Sequence, residues 1–194
     1  MFSIKKYIGD SIATKNAILQ DETLLDRILK VANVIVDCYR NGNKVLIAGN
    51  GGSAADAQHF AGELVSKFYF DRAPLAAISL STDTSVLTAI GNDYGYEHSF
   101  SRQVKGLGKK GDIFIGISTS GNSKNIVQAA KAAKEQGLLV VSLVGSNNCL
   151  LDDISDISIK VPSKITPTIQ ESHLMIYHII CALVEESIFG KETK

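Results

Sequence analysis

Residues 44–53 read KVLIAGNGGS, a short apolar run that passes directly into a glycine-rich loop. The run itself, residues 44–48, is the first of five, and the others lie at residues 75–80 (LAAISL), 113–117 (IFIGI), 138–144 (LLVVSLV) and 157–161 (ISIKV). Continuous apolar runs of this length, without strict alternation, are typical of strands that are buried on both faces. We therefore predict a sheet of five buried strands.

Helical patterns separate these runs and also precede them. We predict helices at residues 54–68, 84–90, 99–107, 122–136 and 169–189. Residues 1–41 also look helical, because apolar side chains recur every three or four positions up to Tyr39 and the pattern ends at Gly42. Strands alternating with helices predict an α/β fold, with a parallel sheet covered on both faces. We expect one domain over residues 1–194, with a helical N-terminal segment (1–41) and an α/β core (44–189). A helix pair outside the core favours an oligomer.

The composition excludes several classes of protein. The 194 residues carry 20 Lys+Arg and 20 Asp+Glu, so there is no excess positive charge to track a nucleic acid backbone. A hydrophobic share of 45% and a charged share of 21% argue against disorder. The sequence contains no run of about 18 apolar residues, so we predict no transmembrane helix. The start MFSIKK lacks the apolar core of a signal peptide, so we expect a cytoplasmic protein with no membrane partner.

The number and spacing of the cysteines agree with a cytoplasmic protein. Cys38, Cys149 and Cys181 are odd in number and far apart, and no CxxC motif is present. We expect reduced and mostly buried thiols.

Two loops of small residues follow predicted strands, and each opens a predicted helix. Loop 1 is residues 49–53 (GNGGS) and loop 2 is residues 118–123 (STSGNS). Ligands of open α/β sheets bind at the carboxyl ends of the strands, and a helix N-terminus attracts phosphate. Either loop alone could be a plain connecting turn. The pair favours a small phosphorylated ligand, held locally by backbone N–H and hydroxyl groups.

The loops do not fit a nucleotide well. Neither contains the Lys of a Walker A loop. Gly49, Gly51 and Ala54 fit a loose GxGxxA fingerprint, but the end of the second strand reads Ser79-Leu80-Ser81, where a ribose-binding acid would stand. We predict no nucleotide cofactor.

Titratable residues gather on two predicted helices. His59 and Glu63 lie four apart and so share one helical face. The last helix carries Gln170, Glu171, His173 and His178. Two His, a Glu and a Gln could hold a borderline metal such as Zn²⁺. Spacing does not choose between His173 and His178. The pair at 59 and 63 could also be an ordinary surface pair, and His178 a buried, satisfied side chain. We expect no functional role for His98.

At these residues the chain resembles the sugar isomerase (SIS) family, and within it the phosphoheptose isomerases. The matching pieces are residues 49–59 (GNGGSAADAQH) with Glu63, residues 89–95 (AIGNDYG), residues 116–123 (GISTSGNS), and residues 169–171 (IQE) with His178. The resemblance implies a single SIS domain, with a flavodoxin-like five-stranded parallel sheet and an N-terminal helical extension. It also implies conversion of sedoheptulose 7-phosphate to D-glycero-D-manno-heptose 7-phosphate, at the start of heptose supply for bacterial lipopolysaccharide, capsule or other surface glycans.

The resemblance further implies the residues of the site. Sugar phosphate would be bound by Asn50, Gly51, Gly52, Ser53, Asn92, Asp93, Ser118, Thr119, Ser120, Ser123 and Gln170. One zinc ion per subunit would be held by His59, Glu63, Gln170 and His178. Glu63 and His178 would also be the catalytic acid–base pair. The family forms homotetramers with active sites between subunits.

The sequence departs from the family pattern at two positions, and two other functions compete. Thr168 and Lys67 stand where the family often has Arg, which is not equivalent at a bidentate site. One alternative is a non-catalytic phosphosugar-binding regulator, resembling the DnaA initiator-associating protein. That relative lacks the Glu and the last-helix His found here at 63 and 178, which favours the enzyme. The other alternative is an SIS isomerase for a different phosphosugar.

Overall fold

Five parallel strands form the centre of the protein. The structure is a computed structural model that describes residues 3–190. The strands are β1 (Val45–Gly49), β2 (Ala77–Ser79), β3 (Ile113–Ile117), β4 (Leu139–Val144) and β5 (Ile157–Lys160). The helices are α1 (Ile4–Leu19), α2 (Glu22–Arg40), α3 (Gly52–Val65), α4 (Thr84–Tyr94), α5 (Ser101–Leu107), α6 (Lys124–Glu135), α7 (Leu150–Ile154) and α8 (Thr166–Phe189). A 3₁₀ turn spans Tyr96–His98. Met1 and Phe2 of the predicted N-terminal segment, and residues 191–194, lie outside the described residues.

The strand order places loops 1 and 2 at the centre of one sheet edge. The order is β2-β1-β3-β4-β5, with every neighbouring pair parallel. The chain passes from β1 outward to β2, then returns to the other side of β1 as β3. This flavodoxin-like order has its topological switch point between β1 and β3, where open α/β sheets bind ligands. The predicted α/β fold is confirmed.

The two central strands, β1 and β3, are buried on both faces because neither carries a polar side chain. Val45 and Ile47 face a core shared with α2, α3 and α8. Leu46 and Ala48, on the opposite face, pack in a second core with α5 and α6. Every residue of β1 and β3 is buried. Successive side chains of a strand point to opposite faces of the sheet, so one continuous apolar run contributes residues to both cores.

α8 crosses the first core. Among the helices of residues 3–190, it alone is long and apolar enough to span a membrane, with a mean hydropathy of 1.2. Ile176, Ile180 and Val184 are fully buried against the sheet side of the protein. Packing in the core therefore accounts for its apolar composition.

Several helix bounds differ from the predictions, two of them at a glycine with positive φ, and one short helix was not predicted. α3 begins at Gly52 rather than residue 54, since Gly51 at φ +57° turns the chain directly into the helix. α4 continues beyond residue 90 and ends before Gly95, at φ +91°. α7 was not predicted, because its five residues are too short to show a period.

All three cysteines are free thiols, as expected for a reduced protein. Cys38 and Cys181 are buried and Cys149 is partly exposed. Burial, and the nearby Asp112 carboxylate, raise the pKa of the Cys38 thiol to about 12. A thiol with so high a pKa is unreactive at neutral pH.

Candidate functional site

Loops 1 and 2 are joined by a reciprocal pair of side-chain amides. Asn50 Nδ2 donates to Asn125 Oδ1 over 2.9 Å, and Asn125 Nδ2 donates to Asn50 Oδ1 over 2.8 Å. Asn125 lies in the first turn of α6, directly after loop 2. The Tyr96 hydroxyl also donates to Asn50 Oδ1, over 3.1 Å. These hydrogen bonds therefore tie the two loops together at the switch point.

Two glycines of loop 1 have different surroundings. Gly51 adopts φ +57° with ψ −122°, which disfavours any side chain. Gly52 begins α3 directly beneath the Gln170 amide, and a Cβ there would stand 2.6 Å from Gln170 Nε2. Ser53, next in the loop, is buried. The backbone of loop 1 is thus open to a ligand, with Gln170 at its side.

Loop 2 presents hydroxyl groups at the N-terminus of the 12-residue helix α6. Ser118 Oγ and Ser123 Oγ lie 3.1 Å apart, and Gly121 N–H donates to Ser118 Oγ over 3.2 Å. Ser120 is exposed, and its Oγ accepts the Asn122 N–H over 3.2 Å. Thr119 is partly exposed between them. Neutral donors at a helix N-terminus are what a phosphate group binds.

His59, Glu63 and His178 come together where α3 packs against α8. His59 Nε2 and Glu63 Oε1 are 2.8 Å apart. The two imidazole rings lie 4.9 Å apart between centroids, at 83°. One possible ligand atom from each of the three residues lies within 4.8 Å of the other two. We call these residues the triad.

The donor set of the triad fits a divalent metal ion. Among the described residues, His178 Nε2 is buried and has no hydrogen-bond partner, so this member of the triad has a polar atom that still needs one. Burial, together with the neighbouring His59 ring, lowers the pKa of the His178 imidazole. The lowered pKa favours the neutral imidazole, which is the form that binds metal. Two imidazoles and a carboxylate could hold zinc with an open position.

The remaining predicted site residues lie apart from the triad in a single chain. Gln170 is eight residues before His178, about 12 Å along the axis of α8. Asn92 and Asp93 are exposed on α4, where Asn92 Nδ2 donates to Asp93 Oδ1 over 2.8 Å. The structure thus joins three of the four expected metal ligands.

His173 does not belong to the cluster. It is fully buried, and its Nε2 lies 3.3 Å from the carbonyl oxygen of Val144. Five residues along a helix amount to a rotation of about 140°, so His173 and His178 point to different sides of α8. The choice that spacing left open falls on His178. His98 lies on the 3₁₀ turn, also outside the triad.

Burial of His173 makes stability depend on pH. Burial lowers the pKa of this imidazole to about 4, against about 6.5 in the unfolded chain. Between these values the unfolded state binds the extra proton, so the stabilising contribution is lost as the pH falls from 6.5 to 4. We expect wild type to lose up to about 3 kcal/mol more unfolding free energy than a His173→Phe variant over that range.

Denaturant unfolding of both proteins at several pH values measures this difference. The variant keeps the Val144 carbonyl paired, since it also accepts the Val161 N–H over 2.9 Å. Comparison with the variant is needed because Asp56 acts in the opposite sense: burial raises its pKa to about 6, which favours the folded state as the pH falls. Identical pH profiles for wild type and variant would contradict the assignment.

A buried ion pair fixes the chain beyond α3. Arg72 Nε lies 3.0 Å from Glu185 Oε1, with both side chains at most 2% exposed. Glu185 also accepts the N–H groups of Phe68 and Tyr69, over 2.9 and 2.6 Å. Arg72 in turn donates to the carbonyl oxygen of Glu63 over 2.9 Å. The pair therefore holds the end of the helix that carries two of the triad residues.

A family model described as "SIS domain" matches residues 6–145. The chain belongs to the SIS domain family. Within that family it belongs to the phosphoheptose isomerases, as the resemblance predicted. The phosphoheptose isomerase of Aneurinibacillus thermoaerophilus is 61% identical over 96% of this chain and 94% of its own.

Two solved phosphoheptose isomerases share the fold over almost their whole length. The one from Neisseria gonorrhoeae is 41% identical with a TM-score of 0.89, over 94% of this chain and 97% of its own. The one from Francisella tularensis is 38% identical with a TM-score of 0.91, over 94% of this chain and 96% of its own. The predicted SIS architecture is therefore confirmed.

The two departures from the phosphoheptose isomerase pattern fall in different environments. Lys67 is exposed just after α3. Thr168 is buried in the first turn of α8, and its carbonyl oxygen accepts the Ser172 hydroxyl over 2.7 Å. A buried Thr168 offers no positive charge to a substrate.

Sequence reasoning missed three residues that contact predicted site residues, Asn125, Tyr96 and Tyr177, and also Asp56, which contacts Tyr177. Asn125 and Tyr96 hold Asn50, while Tyr177 and Asp56 lie behind His59. Asn125 lies two residues after loop 2, which is a signal that could have been used. The other three contacts depend on how neighbouring elements pack, and no spacing rule shows them.

Proposed function

We propose that this protein isomerises sedoheptulose 7-phosphate to D-glycero-D-manno-heptose 7-phosphate. The observation that carries the proposal is the triad of His59, Glu63 and His178, assembled in a chain of the phosphoheptose isomerase family. A regulator that only binds phosphosugar has no use for a carboxylate and two imidazoles at this spacing.

The phosphate group is assigned to loop 2 and the sugar to the surface between the loops. The proposed contacts are Asn50, Gly51, Gly52, Ser53, Asn92, Asp93, Ser118, Thr119, Ser120, Ser123 and Gln170. Support comes from the Ser118–Ser123 hydroxyl pair at the start of α6 and from the amide bridge between the loops. With a formal net charge of zero, the protein would bind phosphate through neutral, local donors.

The reaction moves a carbonyl from C2 to C1. A proton leaves C1 while the C2 oxygen gains one, which gives a cis-enediol; a proton is then delivered to C2 while the C1 hydroxyl loses its proton and becomes the aldehyde. A Glu63 carboxylate oxygen is the base that takes the C1 proton. His178 returns a proton or assists ring opening. No hydride acceptor is involved, so the reaction needs no nucleotide cofactor.

We propose one zinc ion per subunit, held by His59, Glu63, His178 and Gln170. When bound, zinc would polarise the substrate carbonyl and stabilise negative charge on its oxygen. Within one chain Gln170 is about 12 Å along α8 from His178, a separation that an active site shared between subunits could bridge.

A homotetramer with active sites between subunits is therefore part of the proposal. α1 exposes Ile4, Ile8, Ile12 and Leu19, between 53% and 72% of each side chain. Leu174 and Ile179, on the α8 surface beside His178, are each more than a third exposed. Apolar surface on these two helices favours burial against other copies of the chain.

A panel of ketose phosphates tests the function. Purified protein is incubated with each phosphate, and the aldose product is identified by a coupled assay and by NMR. We expect the highest kcat/KM for sedoheptulose 7-phosphate. Binding without turnover would favour a regulator, and faster turnover of a different phosphosugar would favour another SIS isomerase.

Removal of metal is expected to lower turnover by about 100-fold or more, because a Lewis acid supplies several kcal/mol of transition-state stabilisation. Protein purified without chelator should contain one zinc per subunit by elemental analysis. Dialysis against a chelator should abolish most activity, and added zinc should restore it. Full activity in protein shown to be metal-free would remove zinc from the account.

The product would supply heptose for bacterial surface glycans such as lipopolysaccharide or capsule, and we place the enzyme in the cytoplasm. The family relationship supports both proposals.

A further inference from the structure

We propose that Tyr177 is a positioning residue that orients the His59 imidazole and sets its tautomer, with Asp56 as the second partner of the Tyr177 hydroxyl. The consequence for metal affinity rests on the proposed zinc site. The orientation of His59 does not depend on it.

The contact is short and lies in the protein interior. The Tyr177 hydroxyl is 2.9 Å from His59 Nδ1 and 3.5 Å from Asp56 Oδ1. Tyr177 is fully buried, and its ring stacks on Phe60 with centroids 5.1 Å apart at 14°. Since that stacking fixes the ring, the Tyr177 hydroxyl is held next to His59 Nδ1, while Glu63 contacts Nε2 on the other side of the imidazole.

His59 presents its two nitrogens to different partners. Nε2 faces Glu63 and the open side of the triad, while Nδ1 faces Tyr177. Without metal, Nε2–H can donate to Glu63, and Nδ1 then accepts the Tyr177 hydroxyl proton. When Nε2 binds a metal, the ring proton must be on Nδ1, which donates to the Tyr177 oxygen.

Only a hydroxyl can serve both states, because it can donate or accept. In the second state its own proton needs another acceptor, and Asp56 Oδ1 lies on that side. Asp56 is itself 9% exposed, and its Oδ2 is buried without a hydrogen-bond partner in the described part of the chain. Burying such a carboxyl is unfavourable, and a core helix facing Phe60 would pack equally well with Phe at 177. The polar pair is thus explained by His59 rather than by packing.

The test compares Tyr177→Phe with wild type and with Tyr39→Phe. Both substitutions remove one buried hydroxyl, but the Tyr39 hydroxyl has no hydrogen-bond partner within residues 3–190. Zinc affinity is measured by competition with a chromogenic chelator. We expect Tyr177→Phe to weaken zinc binding by about 10- to 100-fold, and Tyr39→Phe to leave it unchanged.

Nitrogen-15 NMR of the His59 ring gives a second readout that activity does not influence. In zinc-loaded wild type the Nδ1–H should exchange slowly with solvent, and in Tyr177→Phe it should exchange faster. In the metal-free proteins the Nδ1 chemical shift should differ between wild type and Tyr177→Phe, because in the variant Nδ1 no longer accepts a hydrogen bond from the Tyr177 hydroxyl. Unchanged zinc affinity together with unchanged Nδ1 signals would overturn the proposal.

The two readouts separate this proposal from the proposed function. Wild-type protein that binds no zinc would contradict the proposed metal site, and the Nδ1 resonance of the metal-free proteins would still decide whether Tyr177 holds His59. Normal zinc binding by both proteins, with identical Nδ1 signals, would contradict the role of Tyr177 alone.

Discussion

Glu63→Gln is expected to lower kcat/KM for sedoheptulose 7-phosphate by about 10³-fold or more while leaving the fold intact. The carboxylate lies 2.8 Å from His59 Nε2 and is the one carboxylate in the triad. An amide of the same shape cannot take the C1 proton, and it is a poor metal ligand. The loss should therefore appear in kcat, measured by the coupled assay.

Glu135→Gln is the matched control, because it makes the same chemical change at the exposed end of α6, on the opposite edge of the sheet from the loops. Its kcat/KM should remain within about twofold of wild type, as surface substitutions have small effects. Circular dichroism and gel filtration should be the same for all three proteins. A Glu63→Gln enzyme with near wild-type turnover would contradict the assignment of the base.

Glu185→Gln is expected to lower the free energy of unfolding by about 3 kcal/mol or more. Burial alone would raise the pKa of this carboxyl, but two backbone N–H groups and Arg72 hold it below its usual range. In the variant one acceptor oxygen becomes an NH₂ group facing donors, and Arg72 keeps a buried charge without its partner. Denaturant unfolding at pH 7 measures the change.

The neighbouring residue on α8 provides the control. Glu186→Gln removes the same charge one position along, but Glu186 is exposed. Its free energy of unfolding should change by less than about 0.5 kcal/mol. Equal stability of the two variants would mean that the buried pair contributes little, and that the chain after α3 is held in another way.

The central fold could be predicted because burial on both faces makes each strand a continuous apolar run. The edge strand was the least accurate case: an apolar run of six residues, 75–80, pairs only at Ala77–Ser79. β2 has a neighbour on one side only, so its ends are not held by a second ladder. The five-residue α7 left no periodic signal at all.

The candidate site divides in the same way. The pairing of His59 with Glu63 follows from helical spacing within one element. The choice of His178 over His173 depends on which side of α8 meets α3, and the contact of Tyr177 with His59 depends on their relative rotation. Residue spacing within one helix predicts neither the choice of His178 nor the contact between Tyr177 and His59. Gln170 is the clearest limit, since it lies about 12 Å from His178 along α8 and spacing within the helix does not show how the two could share a metal.

Proton NMR of sedoheptulose 7-phosphate incubated with the purified wild-type protein in D₂O tests the central claim most directly. The account predicts that signals of D-glycero-D-manno-heptose 7-phosphate appear, with solvent deuterium at C2, and that Glu63→Gln protein produces none. A ketose spectrum that stays unchanged with zinc-loaded wild-type protein would contradict it.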